Sequence, residues 1–326
     1  MNLSLYTYTS ASLDSDWDDF VYASDQGTIY SYSIFLKELL SDIECWYILK
    51  NQEKVAAIAV VTNHGNVVGH DLVIYSGILY SPLDPQMNKA QVLSEQYKIT
   101  NYVVNFITGK YGDILFSSYV SFTDVRPFTW FNYGNENARY FKVNIKYTAI
   151  LKLEKNDFKN NMNQNPLYLS LSKSRRQEVR YGFSKGVTVE NNYNLELFFD
   201  MFKRTFDLQN ISINKRTLKE VINVISALNE DGKIRMFQAK TKDGKVGSIA
   251  VFALYAKRAY YLFGTNNPDL NKSHCGSMVL WKAFEYLSME NINEIDLEGV
   301  NSPKRGYFKL SFGANLVPYY EFCLEK

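Results

Sequence analysis

The sequence predicts an α/β (α+β) protein built from two copies of one unit, each with a mixed sheet, and a ligand cleft between the copies. Three observations carry this reading. The chain has 326 residues, enough for two domains that each bury a core. Both halves contain the order helix, helix, strand, strand, strand, helix, strand, strand, the second with one further helix in front of it, although no residue-by-residue repeat accompanies that order. Between the runs lies EKNDFKNNMNQNP, polar and closed by Pro166, which has the composition of a linker. We therefore place domains over 1–153 and 169–313, with a linker over 154–168.

In the first run, Trp17, Phe20 and Val21 lie at helical spacing within 14–24, as do Ile34, Phe35 and Leu39 within 30–40. Residues 45–50 and 54–62 read as a hairpin across Asn51-Gln52, β-branched and aromatic on both sides. A strand is expected over 70–80, ended by Ser81-Pro82. An amphipathic helix follows over 88–108, stopped at Gly109, with strands over 113–119 and 140–153. In the second run Leu171, Arg175, Val179 and Phe183 step by four along a helix that Gly186 terminates. Helices over 195–206 and 217–228 precede a hairpin, 234–240 with 246–255, whose Asp243-Gly244 turn favours positive φ. A strand over 259–265, a helix over 277–290 and strands over 293–298 and 316–323 complete the chain.

Composition narrows the class. Apolar content of 46% and charged content of 21% are those of a folded protein. The net charge of +2 argues against broad nucleic-acid coating, and no DNA partner is expected. Cys45, Cys275 and Cys323 are too scattered for a disulfide framework or a zinc site, and His64, His70 and His274 fall in no ligand spacing. No metal is expected. The acidic N-terminal stretch does not resemble a signal peptide, and no apolar run approaches the ~20 residues of a membrane span. A cytoplasmic location follows.

The densest cluster of chemistry is DLEGVNSPKRGYFKLSFG, residues 296–313. A short apolar strand ends in Asp296 and Glu298, Gly299 breaks it, and Asn301, Ser302, Lys304 and Arg305 follow in a loop. Lys309 sits on a turn between Phe308 and Phe312. Alternation puts Asp296 and Glu298 on one side of the strand, either as a base or as partners of Lys304 and Arg305. A basic helix carries Lys173, Arg175, Arg176, Arg180 and Lys185. Its charge suits a nucleotide-sugar, CoA or tRNA phosphate without choosing among them.

These stretches, with SLSKSRRQEVRYGFSKGVTVE (170–190), GSIAVFALYAKRAYYLFGTNN (247–267) and SMVLWKAFEYL (277–287), resemble the Fem-type peptidoglycan-bridge aminoacyltransferases and related acetyltransferases built from GNAT-like domains. The first half adds WDDFV, GTIYSYSIFL and IYSGILYSP. The resemblance implies tandem GNAT-like domains with mixed, largely antiparallel sheets, and a C-terminal strand, 314–326, folding back onto the first domain. It implies acyl or aminoacyl transfer to an amine of a cell-envelope precursor, an amino sugar or muropeptide, with acyl-CoA or aminoacyl-tRNA as donor. The family's phenylalanine-lysine pair puts its functional lysine at Lys309. Its threonine followed three residues later by arginine reads here as Thr205 then Leu208.

Acyl transfer requires an amine that loses a proton, a carbonyl oxygen stabilised as it gains charge, and partners held in contact. Lys309, Glu298 and Asp296 are the catalytic candidates, Lys309 for the oxyanion or leaving group and Glu298 ahead of Asp296 as base. Arg175, Arg176, Arg180, Tyr261, Asn266, Asn301, Arg305 and Tyr307 are candidates for substrate binding. Alternation allows only one of Tyr260 and Tyr261 to face a cleft. The loop Asn271–Ser277 precedes a helix, and Lys272, Gly276 and Ser277 are candidates for a donor phosphate. A module that kept the fold and lost the donor site is the non-catalytic alternative, and a protein or small amine the alternative acceptor.

Overall fold

The computed structural model describes residues 5–153, 158, 162–207 and 214–325. The chain forms two compact units, Met1–Lys146 with Pro318–Lys326, and Tyr147–Val317.

The first unit opens with β1 (Tyr6–Ser10), α1 (Ser15–Ala23) and α2 (Ser33–Lys37). Asp14 caps α1 by accepting the Trp17 N–H at 3.1 Å, which satisfies an otherwise orphaned donor. Trp17 and Val21 are fully buried, and the Trp17 indole donates to the Ser31 carbonyl at 2.8 Å. β2 (Asp42–Lys50) and β3 (Glu53–Asn63) form the expected hairpin. Asn51 and Gln52 take φ of 51° and 71°, the two positive angles that suit the twist of flanking strands. The run Ala56–Val61 is buried without alternation, as a central strand requires.

Two short strands, β4 (Asn66–Val67) and β5 (Leu79–Tyr80), lead into α3 (Lys89–Lys110). Asn88 and Gln91 form a reciprocal capping box at its start, and Ile99, Val103, Phe106 and Ile107 form its buried stripe. β6 (Ile114–Ser117) and α4 (Arg126–Thr129) follow.

The second unit begins within β7 (Lys142–Lys152) and continues through α5 (Pro166–Ser170), α6 (Lys173–Ser184), β8 (Thr188–Asn191), α7 (Leu195–Asp207) and α8 (Lys215–Glu230). Then come β9 (Ile234–Lys240), β10 (Val246–Tyr255), β11 (Arg258–Asn266), α9 (Cys275–Met289), β12 (Glu294–Gly299) and α10 (Pro303–Leu310). Its strand order is β7-β12-β11-β10-β9-β8, with only β11 and β12 parallel among these pairs. The core lies between this sheet and α9, where Phe237, Phe252, Phe284, Leu297 and Phe312 have no exposure.

The last strand, β13 (Asn315–Leu324), pairs antiparallel with β6 from Glu321 opposite Ser117 to Leu324 opposite Ile114. The first unit's order is therefore β1-β2-β3-β4-β6-β13, mixed because β4 and β6 are parallel. Phe322 is fully buried there, stacked on Phe128 at 3.8 Å with Phe116 5.2 Å away.

The structure departs from the sequence reading in several places. The strand expected over 70–80 is strand only at Leu79–Tyr80, with an isolated bridge between His70 and Val73. Here Gly77 packs against backbone, so that an added Cβ would lie 2.9 Å from Ser118 Cα. The second helix is confined to Ser33–Lys37, and α3 passes Gly109 to end at Lys110. β1 and β8 carry no strong burial pattern and were not anticipated. Phe183 is exposed although it steps with the apolar stripe. Residues 154–157, 159–161 and 208–213 lie outside the described residues, and with them the first part of the expected linker, apart from residue 158, and Leu208. The end of that linker, from Pro166, is helical. Among the described residues no helix is long and apolar enough to cross a membrane.

Candidate active site

The second unit's sheet opens at one place. β11 and β12 are in register only for Arg258–Tyr260 opposite Glu294–Asp296, and beyond Tyr260 and Asp296 the pairing stops. Each strand is irregular at that point. On β11 the register with β10 shifts, so Tyr261 lies opposite Phe252 and Phe263 opposite Val251. Partners one residue apart face opposite sides, so the bulge sends Tyr261 and Phe263 to different faces. On β12 the shift falls between Asp296 and Gly299, with Glu298 at φ +62°. Asp296 Oδ1 holds the kink by accepting the Glu298 N–H at 2.7 Å and the Thr148 hydroxyl at 2.5 Å. The simple alternation expected for Asp296 and Glu298 is thus broken by a bulge, and both are buried.

The expected turn around Lys309 is the helix α10, started by Pro303 in its first turn, a position where the missing N–H costs nothing. Phe312 just beyond it is fully buried against Phe284 and Phe308. This anchors Lys309, whose Nζ donates to the Gly299 carbonyl at 3.3 Å and lies 5.7 Å from the Tyr261 ring centroid. Burial holds the Lys309 ammonium below the usual lysine range. Glu298 and Asp296 oppose that shift, and Arg305 adds to it. Burial, with a smaller push from Glu298, raises the Tyr261 phenol well above its ordinary range, so it remains a neutral hydroxyl. Lys309, Glu298, Asp296 and Tyr261 form one electrostatic cluster. Arg305 stands at its exposed edge.

Other sequence candidates serve the fold. Arg175 is buried, with Nε donating to Ser311 Oγ at 3.0 Å and Nη1 to Glu178 Oε2 at 2.6 Å and to Ser277 Oγ. Its guanidinium carbon lies 4.4 Å from the Phe308 ring and 4.8 Å from that of Phe312. The side chain points inward, as its spacing suggests, and ties α6, α9 and α10 together. Ser277 is committed to the same network, its hydroxyl also donating to Glu178. Asn301 is a bridge as well, accepting the Tyr147 N–H at 2.8 Å and donating to the Tyr147 carbonyl at 3.1 Å. Arg176 is half-buried, and Arg180 and Tyr307 are exposed.

His274, at φ +65°, sets the start of α9 directly after the β11 strand and a short 3₁₀ segment that includes Lys272. Gly276 lies in the first turn, where the helix presents N–H groups with no partner inside it. A Cβ there would come within 2.8 Å of Asn266 Oδ1, so the Asn266 side chain rests directly on the start of the helix. Cys275 is buried and its thiol pushed up by burial, which leaves it a poor nucleophile.

Residues 171–309 match the acetyltransferase (GNAT) domain, a span that ends on Lys309 and includes every element just described except β7. The second unit is thus similar to a GNAT domain over most of its length. The whole chain also shares its fold with solved structures. FemX matches with a TM-score of 0.64 at 12% identity, covering 97% of this chain and 96% of that one. A tandem GNAT protein from the clavulanic acid biosynthesis pathway matches at 0.53 and 8% identity, covering 98% of both. The C-terminal domain of a putative lysylphosphatidylglycerol synthetase from Agrobacterium fabrum matches at 0.53 and 11%, covering 95% of this chain and 90% of that one. No curated protein matches the sequence. The expected FemAB-like tandem GNAT architecture therefore holds for the fold.

Two residues that hold this arrangement, both outside the matched span, were not legible in the sequence. Thr148, which fixes Asp296, is a residue of ordinary strand type 148 positions away. Ser311 is the other, giving Arg175 its hold on α10. Gly264 offers a test of the cluster. A Cβ there would meet the Tyr261 hydroxyl at 1.8 Å, and the ring cannot slide freely because it packs 5.2 Å from Phe252. Gly264→Ala should displace Tyr261 and lower kcat/KM about 10²-fold, the cost of an ångström-scale misplacement. Near-UV circular dichroism would report the ring and the assay the loss. Full activity with a displaced ring would remove Tyr261 from the site.

Proposed function

We propose that this protein transfers an acyl or aminoacyl group to an amine of a cell-envelope glycan precursor, an amino sugar or a muropeptide. The observation that carries the reading is Lys309, a cation held by the Gly299 carbonyl beside Glu298 and Tyr261 where β11 and β12 part. The match of residues 171–309 to a GNAT domain supports it, as does the fold shared with FemX and a tandem GNAT protein.

The reaction uses this cluster as follows. The acceptor nitrogen attacks the donor's carbonyl carbon, and the C–S bond of a thioester or the C–O bond of an aminoacyl ester breaks. Glu298 takes the proton that nitrogen sheds, directly or through water. The Lys309 ammonium and the neutral Tyr261 hydroxyl stabilise the negative oxygen of the tetrahedral intermediate, or the charge on the departing thiolate sulfur or ester oxygen, which takes up a proton from water. The first turn of α9, with Gly276, fits a donor phosphate by its N–H groups. Lys272 lies exposed just before it, whereas the Ser277 side chain is already engaged.

Thermal-shift titration tests the reading, with acetyl-CoA and CoA beside UDP-N-acetylglucosamine, UDP-muramoyl-pentapeptide and aminoacyl-tRNA. A ligand at a hundred times its Kd stabilises the native state by about 2.7 kcal/mol, several degrees for a unit of this size. A shift with acetyl-CoA identifies a CoA donor. A shift with the muramoyl peptide and aminoacyl-tRNA identifies bridge formation. No shift with any of them would overturn the proposal and favour a module without a donor site.

A further inference from the structure

The first unit carries a surface that the transfer reading does not use. Trp130, just after α4, is 50% exposed and lies 5.7 Å from the ring of Tyr97 on α3. Arg126 sits against both rings, its guanidinium carbon 5.2 Å from Tyr97 and 5.5 Å from Trp130. Asp124 holds that guanidinium in a two-pronged pair, 2.8 Å to Nε and 2.6 Å to Nη2. The segment beyond folds back on itself. Asn132 Nδ2 donates to the Arg139 carbonyl at 2.9 Å and the Phe131 and Phe141 rings meet at 5.6 Å, while Tyr133 and Tyr140 project with 85% and 74% exposure.

Exposed aromatic residues this concentrated mark a surface for a partner. From this arrangement we infer an uncharged-oligosaccharide-binding surface built on Trp130, Tyr97, Arg126 and Asp124. An aromatic ring offers a flat, polarisable face to the C–H side of a sugar ring. The Arg126–Asp124 pair fixes a donor and an acceptor beside that face, matching vicinal hydroxyls, and Asn132, Asn135 and Asn137 supply further amides on the same segment.

Charge decides against an anionic membrane, the other surface that exposed Trp and Tyr suit. The two arginines of the segment are already paired. Arg126 is held by Asp124, and Arg139 by Asp113 and the carbonyls of Gly112, Leu324 and Glu325. Neither is free for lipid phosphate, so the arginines of this segment offer such a membrane no uncommitted charge.

The test is a fluorescence titration of the whole protein, without any acyl donor, using chitotetraose and maltotetraose. Trp17 and Trp281 are buried and Trp46 is half-buried, so Trp130 is the tryptophan most open to a ligand in solution. Saturable quenching is expected with at least one of the two sugars. Followed by isothermal titration calorimetry, which needs no indole as reporter, binding should be abolished in Trp130→Ala and partly retained in Trp130→Phe, because stacking survives. Asp124→Asn, which breaks the ion pair and leaves the rings, should weaken binding at least tenfold. Failure of both sugars at millimolar concentration overturns the inference, as does binding unchanged in Trp130→Ala. Co-sedimentation with phosphatidylglycerol vesicles that Trp130→Ala abolishes, without sugar binding, would also overturn it in favour of a lipid surface. No arm depends on acyl transfer, so the site in the second unit stands or falls separately.

Discussion

Lys309→Met should lower kcat/KM by about 10²–10³-fold, the range for removing one group that stabilises an oxyanion. The stability of the second unit should change little. Burial outweighs the attraction of Glu298 and Asp296 at this ammonium, and a buried cation replaced by an apolar chain of similar length is often neutral. The same balance fixes the pH behaviour. Because the folded protein binds this proton more weakly than the unfolded chain, stability rises with pH between the depressed native value and the usual lysine value. If Lys309 must be cationic, the alkaline limb of the rate profile will lie below that usual value and will be absent from the residual activity of Lys309→Met. An unchanged kcat/KM in a folded variant would remove Lys309 from the mechanism. The assay uses whichever donor raises the melting point.

The second large effect is on stability. Phe322→Ala should cost about 3–5 kcal/mol, as expected for emptying a fully buried phenylalanine site. The ring stacks on Phe128 at 3.8 Å and touches Phe116 and Phe122, 5.2 Å and 6.0 Å away, so the void opens in the middle of an aromatic cluster. Hydrogen exchange at the β6 amides of Ile114–Ser117 would read this loss locally. Protection unchanged from the parent would show that β13 is an ornament of the first unit and not part of its core.

Much of the fold was legible because local and tertiary signals agree. The β10–β11 pair and the β9–β10 turn at Gly244, with φ of 83°, follow from turn chemistry and strand composition. α3 and α9 follow from periodicity. The site was legible only as a neighbourhood. Asp296, Glu298 and Lys309 do come together, but alternation could not anticipate that Asp296 would bend its own strand and place Glu298 at positive φ. Residue type alone did not foretell the internal partners of Ser277, Asn301 and Arg175, since groups that bind ligands are the same groups that cap helices and bridge strands. Their partners lie 102, 154 and 136 positions away, a relation that no local pattern encodes.

The first unit is discontinuous, being closed by Pro318 onward, and that has a consequence for biosynthesis. A ribosome delivers Met1–Lys146 first, then the entire second unit, and only afterwards the strand that covers β6. At 5–20 residues per second the wait is on the order of 10–30 s. Throughout it β6 is an open edge and Phe116, Phe122 and Phe128 lack the ring that fills the space among them. The first unit, although delivered first, therefore closes its core only after the residues of the second unit have been made, and its open edge is exposed to association for that interval.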